Sequence, residues 1–168
     1  QLSELVEAGL LVRERAFARP LLPLTEPVFR WKPGDDAPAF GELSWTMQKR
    51  WTEPAREIAV YLATRRAASI FGGKAEGRIK NLSQVTHDIH LGALYLKFRR
   101  EAPTLAAGWV GEEIFAPTRE HQKLPDAMLY DREGRPRMVI EFGGAYPTER
   151  VKAFHEDCAA RGLPYEIW

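Results

Sequence analysis

From residue 84 onward, helical and strand-like periodicities alternate in one order, and that order restricts the chain to a sheet covered by helices. Gln84 to Arg100 carries an apolar stripe at Val85, Ile89, Ala93 (or Gly92) and Leu96, the spacing of an amphipathic helix. Pro103 ends it. Three short strand-like runs follow: Trp109 to Phe115, Leu124 to Tyr130 and Met138 to Phe142. Asp131-Arg132-Glu133-Gly134 supplies a hairpin turn between the last two. Pro147-Thr148-Glu149 opens a second helix with Val151, Phe154 and Cys158 on its apolar side, and Gly162 closes it. Tyr165 to Trp168 reads as a terminal strand. Helix, three strands, helix, strand predicts an α/β fold for residues 82–168, a small mixed sheet flanked by helices.

The front half has a different rhythm. Residues 2–8 read as the last turns of a helix closed by Gly9. Leu10 to Phe17 and Val28 to Lys32 look extended, and the turn-rich stretch Pro20 to Pro27 between them predicts a hairpin. Leu43, Met47 and Trp51 at i, i+4 and i+8 predict a helix from Glu42. Pro54 predicts the start of another, with Ile58, Tyr61 and Leu62 on one side, before Phe71-Gly72-Gly73 breaks it. The expected organisation is a hairpin region over 1–40, a helical connector over 41–81, and the sheet domain over 82–168.

Composition removes several classes. No apolar run approaches the roughly 18–20 residues of a membrane span. The start lacks a basic region followed by an apolar block, so no signal peptide is expected. A lone Cys158 excludes an internal disulfide and a multi-cysteine zinc site, and it suits a reducing, cytoplasmic setting. The chain begins at Gln1 rather than methionine, which reads as a fragment. The net charge of +1 conceals an asymmetry: residues 1–80 hold 13 basic and 10 acidic side chains, and residues 81–168 hold 11 and 13. A basic front suits a polyanion and an acidic rear suits cations.

Arg13, Arg15 and Arg19 recur at spacings of two and four, so an extended strand places them on one face, as it does Arg30 and Lys32 on the expected return strand. Such a face can touch DNA phosphates, which fix register without reading sequence. It can equally be a solvated edge that arginine keeps from aggregating, or a protein-docking face. The run Leu-Ser-Glu-Leu-Val-Glu-Ala-Gly-Leu-Leu-Val-Arg-Glu-Arg resembles the end of a winged helix-turn-helix, where a recognition helix closes at glycine and a β-hairpin wing follows. The resemblance covers residues 1 to about 32, without the motif's earlier helices.

Pro125-Asp126 and, fifteen residues beyond the aspartate, Ile140-Glu141-Phe142 form the most informative constellation. Magnesium takes oxygen ligands in octahedral geometry and keeps several waters, so two carboxylates on adjacent strands suffice, with the Phe142 carbonyl as a third ligand. A metal there (magnesium or manganese) would activate water and offset charge developing on a phosphodiester. The pattern resembles the PD-(D/E)xK nuclease superfamily. More narrowly, Val85-Thr86-His87-Asp88 with Leu-Pro-Asp-Ala and Val-Ile-Glu-Phe resembles the replication-relaxation family of plasmids and mobile elements, which joins a winged-helix region to a nuclease-like one. The resemblance implies catalytic roles for Asp126 and Glu141, while His87 and Asp88 either cap the first helix or support the carboxylate site from it. It also implies a lysine at 143, on the face of 141, where this chain has glycine. Lys152 is the nearest substitute amine, or else a surface lysine facing Glu156.

A glutamate flanked by Val139-Ile140 and Phe142 sits in a buried-looking strand, where a lone carboxylate is costly and calls for a metal, a proton or another partner. His87 with His90, and His155 with Cys158, have metal-ligand spacings but no further ligand close in sequence. Gly72-Gly73-Lys74 lacks the phosphate-loop spacing, and no nucleophile elbow is present. Three functions stay open: a DNA-binding protein whose nuclease-like domain cuts weakly or not at all, a magnesium-dependent endonuclease, and a protein-interaction domain on a nuclease scaffold. A homodimer or a protein partner is compatible with each.

Overall fold

The computed structural model describes residues 1–115 and 124–168, Phe115 by its backbone only. Its elements in chain order are α1 (Leu2–Glu7), β1 (Leu11–Ala18), β2 (Phe29–Trp31), α2 (Phe40–Lys49), β3 (Arg56–Ala63), α3 (Arg65–Phe71), α4 (Val85–Glu101), α5 (Pro103–Ala106), β4 (Trp109–Gly111), α6 (Glu112–Phe115), β5 (Ala127–Tyr130), β6 (Pro136–Glu141), α7 (Thr148–Ala160) and β7 (Tyr165–Ile167). The chain divides into two compact units. One holds Gln1–Pro20 and Glu53–Asp88, the other Leu21–Thr52 and Ile89–Trp168. Among the described residues no helix is long and apolar enough to cross a membrane.

In the first unit α1 ends at Gly9, whose φ of +69° lets Leu10 N–H reach back to Leu5 O, 2.9 Å away. This closure is the one the sequence indicates, since glycine adopts positive φ without a Cβ penalty. The next expectation fails. β1 does not pair with residues 28–32 as a hairpin; it pairs antiparallel with β3, from Leu11 opposite Ala63 to Ala18 opposite Arg56. The helix expected after Pro54 is therefore strand β3. Ile58, Val60 and Leu62 alternate with exposed Glu57, Ala59, Tyr61 and Ala63, and that period of two outweighs the helical spacing of Ile58, Tyr61 and Leu62. Thr64 then starts α3: its Oγ1 accepts from Ala67 N–H at 3.2 Å and donates to Gly9 O at 2.8 Å.

The second unit is a five-stranded mixed sheet in the order β2-β7-β6-β5-β4. β6 and β7 run parallel and the other neighbours antiparallel. The expected order of helix, three strands, helix and strand is present, and β2 adds an edge from the front of the sequence. Asp131 sets the β5–β6 turn, its Oδ1 accepting from the N–H groups of Glu133 (3.0 Å) and Arg135 (2.8 Å). The strand expected over 109–115 stops at Gly111 and gives way to the turn of α6.

Strand alternation sends side chains into two layers. Ala127, Leu129 and Ile140 pack with Leu94 and Phe98 of α4. Met128, Val139, Tyr165 and Ile167 pack with Leu43 and Met47 of α2 and with Val151, Phe154 and Cys158 of α7. The α4 stripe differs from the expected one, because Leu96 is 66% exposed while His90 and Leu94 are fully buried. His90 belongs to the buried stripe: its Nε2 accepts from Leu22 N–H at 2.9 Å and its ring stacks on Phe142. A histidine counted as polar hides the true face. The α2 stripe of Leu43 and Met47 is buried as expected, but it covers this sheet and so makes α2 part of the sheet unit rather than a connector.

Candidate functional site

The β5–β6 register pairs Ala127 with Ile140, and one step further sets Asp126 opposite Glu141. Both lie on the side of Met128 and Val139, under α2 and α7, and both are buried, Asp126 at 7% exposure and Glu141 at 2%. Asp126 Oδ2 accepts from Phe142 N–H at 2.6 Å. Glu141 Oε1 accepts from the Tyr146 hydroxyl at 2.9 Å. Arg150 donates to the same phenol oxygen at 2.9 Å, and its guanidinium lies 3.7 Å from the Tyr146 ring centre. Burial, then the charges of Glu141 and Asp126, push the Tyr146 phenol far above its ordinary value, against the opposing pull of Arg150. It is thus a neutral donor to a buried carboxyl group.

Gly143 lies on the face of Glu141, as alternation requires, and helix α2 fills the space above it. A Cβ built on Gly143 would overlap Met47 Sδ and stand 2.9 Å from Ile167 Cγ2. Polar contacts hold α2 in that position. Ser44 Oγ (2.7 Å) and Gln48 Nε2 (3.0 Å) donate to Tyr146 O, while Arg50 donates to Gly143 O and, at 2.7 Å, to Trp168 O. Burial lowers the Arg50 guanidinium to about 10, so it stays charged at neutral pH.

Placement alone suits a divalent metal. Gly143 N–H bonds to Trp168 O and Trp168 N–H to Glu141 O, so alternation turns the Phe142 peptide groups the other way, toward Asp126. Accessibility does not suit it. The two carboxylates already accept internal hydrogen bonds, lie out of solvent, and have a guanidinium in the same network. Among the described residues no three His, Cys, Asp or Glu side chains converge as a metal site. The residues as arranged do not fit magnesium or manganese.

The other candidates lie elsewhere. Lys152 is exposed on α7 with its Nζ 3.7 Å from Glu156. Arg150, two residues earlier, is joined to Glu141 through Tyr146. His87 and Asp88 begin α4 in the first unit and contact each other at 3.4 Å. His155 Nδ1 lies 3.0 Å from the Tyr165 hydroxyl.

The expected arginine face is divided between the units. Arg13 and Arg15 are exposed on β1. Arg19 lies just past the strand, its Nη1 donating to Glu53 O at 3.2 Å. Arg30 stands on β2 in the other sheet, paired with Glu166 at 2.9 Å, and Lys32 is exposed just beyond that strand. The hairpin that would have joined all five does not form, because β2 pairs with β7.

Tyr146, Arg150 and the polar residues Ser44, Gln48 and Arg50 are the members of the site that the sequence does not mark. The i, i+4 spacing of Tyr146 and Arg150 was the one local signal. Tyr146→Phe should cost about 1–3 kcal/mol, because the buried Glu141 carboxyl group loses a donor. The phenol is raised in the folded state, so its contribution is complete below the ordinary tyrosine value of 10 and is lost as pH rises above it. Chemical denaturation from pH 8 to 11 should show stability falling less steeply in Tyr146→Phe than in the parent. An unchanged slope would remove Tyr146 as the alkaline-sensitive group. Compared with protein-family models, characterised proteins and solved structures, the chain matches none of them.

Proposed function

We propose that the chain is a cytoplasmic DNA-binding protein of a plasmid or mobile element, with a nuclease-like sheet unit that serves as a scaffold and does not cut efficiently. The observation that carries the non-cutting reading is the seat of Met47 against Gly143. The position where the PD-(D/E)xK resemblance expects a lysine has no room for a side chain, beside a carboxylate pair already closed by Tyr146 and Phe142. Lys152 pairs with Glu156 and supplies no replacement. DNA contact is supported by Arg13 and Arg15, exposed side by side on one face of the β1–β3 ribbon.

Two measurements test this reading. Arg13→Ala with Arg15→Ala should weaken DNA binding across all sequences and flatten its salt dependence, by roughly 0.9 in log–log slope for each duplex phosphate no longer neutralised. Asp126→Ala should retain that binding. Plasmid and linear DNA incubated with magnesium or manganese should remain intact. Cleavage that disappears in both Asp126→Ala and Glu141→Ala would replace the proposal with an endonuclease. Absence of DNA binding would replace it with a protein-interaction scaffold.

A further inference from the structure

The water-facing side of the β1–β3 ribbon carries more than charge. Along β1 it presents Arg13, Arg15 and Phe17; across from them on β3 stand Tyr61, Ala59 and Glu57. Phe17 is 68% exposed and Tyr61 38%. On the other side, Ala16 and Ala18 are buried and Val12, Ile58, Val60 and Leu62 half-buried, so the aromatic rings are not needed to complete the ribbon's apolar side. Arginine alone would keep a ribbon soluble, whereas a phenylalanine standing in water does not. Two arginines oppose one glutamate on this face, and Arg15 is 3.5 Å from that Glu57, leaving a basic balance that favours a polyanion over an acidic or neutral protein surface.

Strand geometry narrows the polyanion further. Tyr61 is opposite Arg13, and Phe17 lies four residues along, about 13 Å at roughly 3.3 Å per residue, with Arg15 between them. In a duplex the bases stack on each other about every 3.4 Å and show only their edges, so rings so placed find no base face. An unpaired strand offers both base faces and phosphates, and this face sets Arg15 between two rings, Tyr61 beside Arg13 at one end and Phe17 at the other. We propose that this ribbon face binds single-stranded DNA, with phosphates on Arg13 and Arg15 and unpaired bases stacked on Phe17 and Tyr61. The inference rests on the DNA-binding reading above and specifies its substrate.

The test is fluorescence anisotropy of the whole chain with a labelled oligothymidylate of about 20 nucleotides, longer than the site one such platform occupies, and with a duplex of equal length at the same salt. The oligothymidylate should bind roughly tenfold or more tightly than the duplex. Phe17→Ala and Tyr61→Ala should each weaken single-strand binding roughly tenfold, in the range seen for loss of one stacked base, and leave duplex binding unchanged. Tyr61→Phe, which keeps the ring, should bind like the parent. All four positions face water, so unchanged thermal unfolding checks that the variants remain folded. Duplex binding equal to or tighter than single-strand binding, with Phe17→Ala silent, overturns the single-strand inference and leaves DNA binding standing. Failure to bind either probe overturns both.

Discussion

Gly143→Lys should lower stability by about 3 kcal/mol, the upper end of what overpacking a filled interior costs. The first carbon of the new side chain would already overlap Met47 Sδ and press on Ile167 Cγ2, and neither neighbour has solvent to retreat into. A chain of this size should lose roughly 2–4 °C of melting temperature per kcal/mol, so thermal unfolding followed by circular dichroism resolves the effect. Gly143→Ala should show a smaller loss of the same origin. If Gly143→Lys melts with the parent, the space above residue 143 is not filled and the non-cutting argument fails with it.

Met47→Ala should cost about 2–5 kcal/mol, the range for truncating a fully buried methionine whose surroundings cannot collapse. The coupling between the two sites is more telling than either size. With Met47 shortened, Gly143→Ala loses the atom it would strike, so the double variant should be more stable than the two separate losses predict, by about 1–2 kcal/mol. Urea unfolding of the four proteins closes the cycle. Strict additivity would mean that the two positions do not share a volume.

These contacts also show where the sequence was informative. α4, α7 and the β5–β6 turn follow from local signals: three-and-four apolar spacing, proline and glycine at helix ends, and an aspartate whose side chain caps a turn. The placement of Asp126 beside Glu141 follows from two short strands joined by that turn. What could not be read is non-local. β1 finds its partner beyond an intervening segment that belongs to the other unit, and no local pattern marks such a detour. Leu43 and Met47 announce a buried face without naming the sheet it covers. At Gly143 the sequence shows only a glycine where the resemblance implies a lysine; the packing of α2 adds that the space above it is filled. His90 misled because a histidine that accepts a backbone N–H among aromatic rings behaves as a core residue.

The alternation of the chain between its units has a consequence for synthesis and for dissection. β2 is made early, yet β7, the strand it pairs with, comes at the far end of the sequence. Growing on a ribosome, the segment from Leu21 to Thr52 must therefore wait for its partners, with Trp31, Leu43 and Met47 exposed, while β1 and β3 can already pair. A fragment beginning at Ile89 would contain β4 to β7 without β2 or α2. Such a fragment would keep α7 but lose Trp31, Leu43 and Met47 from the cover over Val139, Tyr165 and Ile167, and it should aggregate where the whole chain stays dispersed.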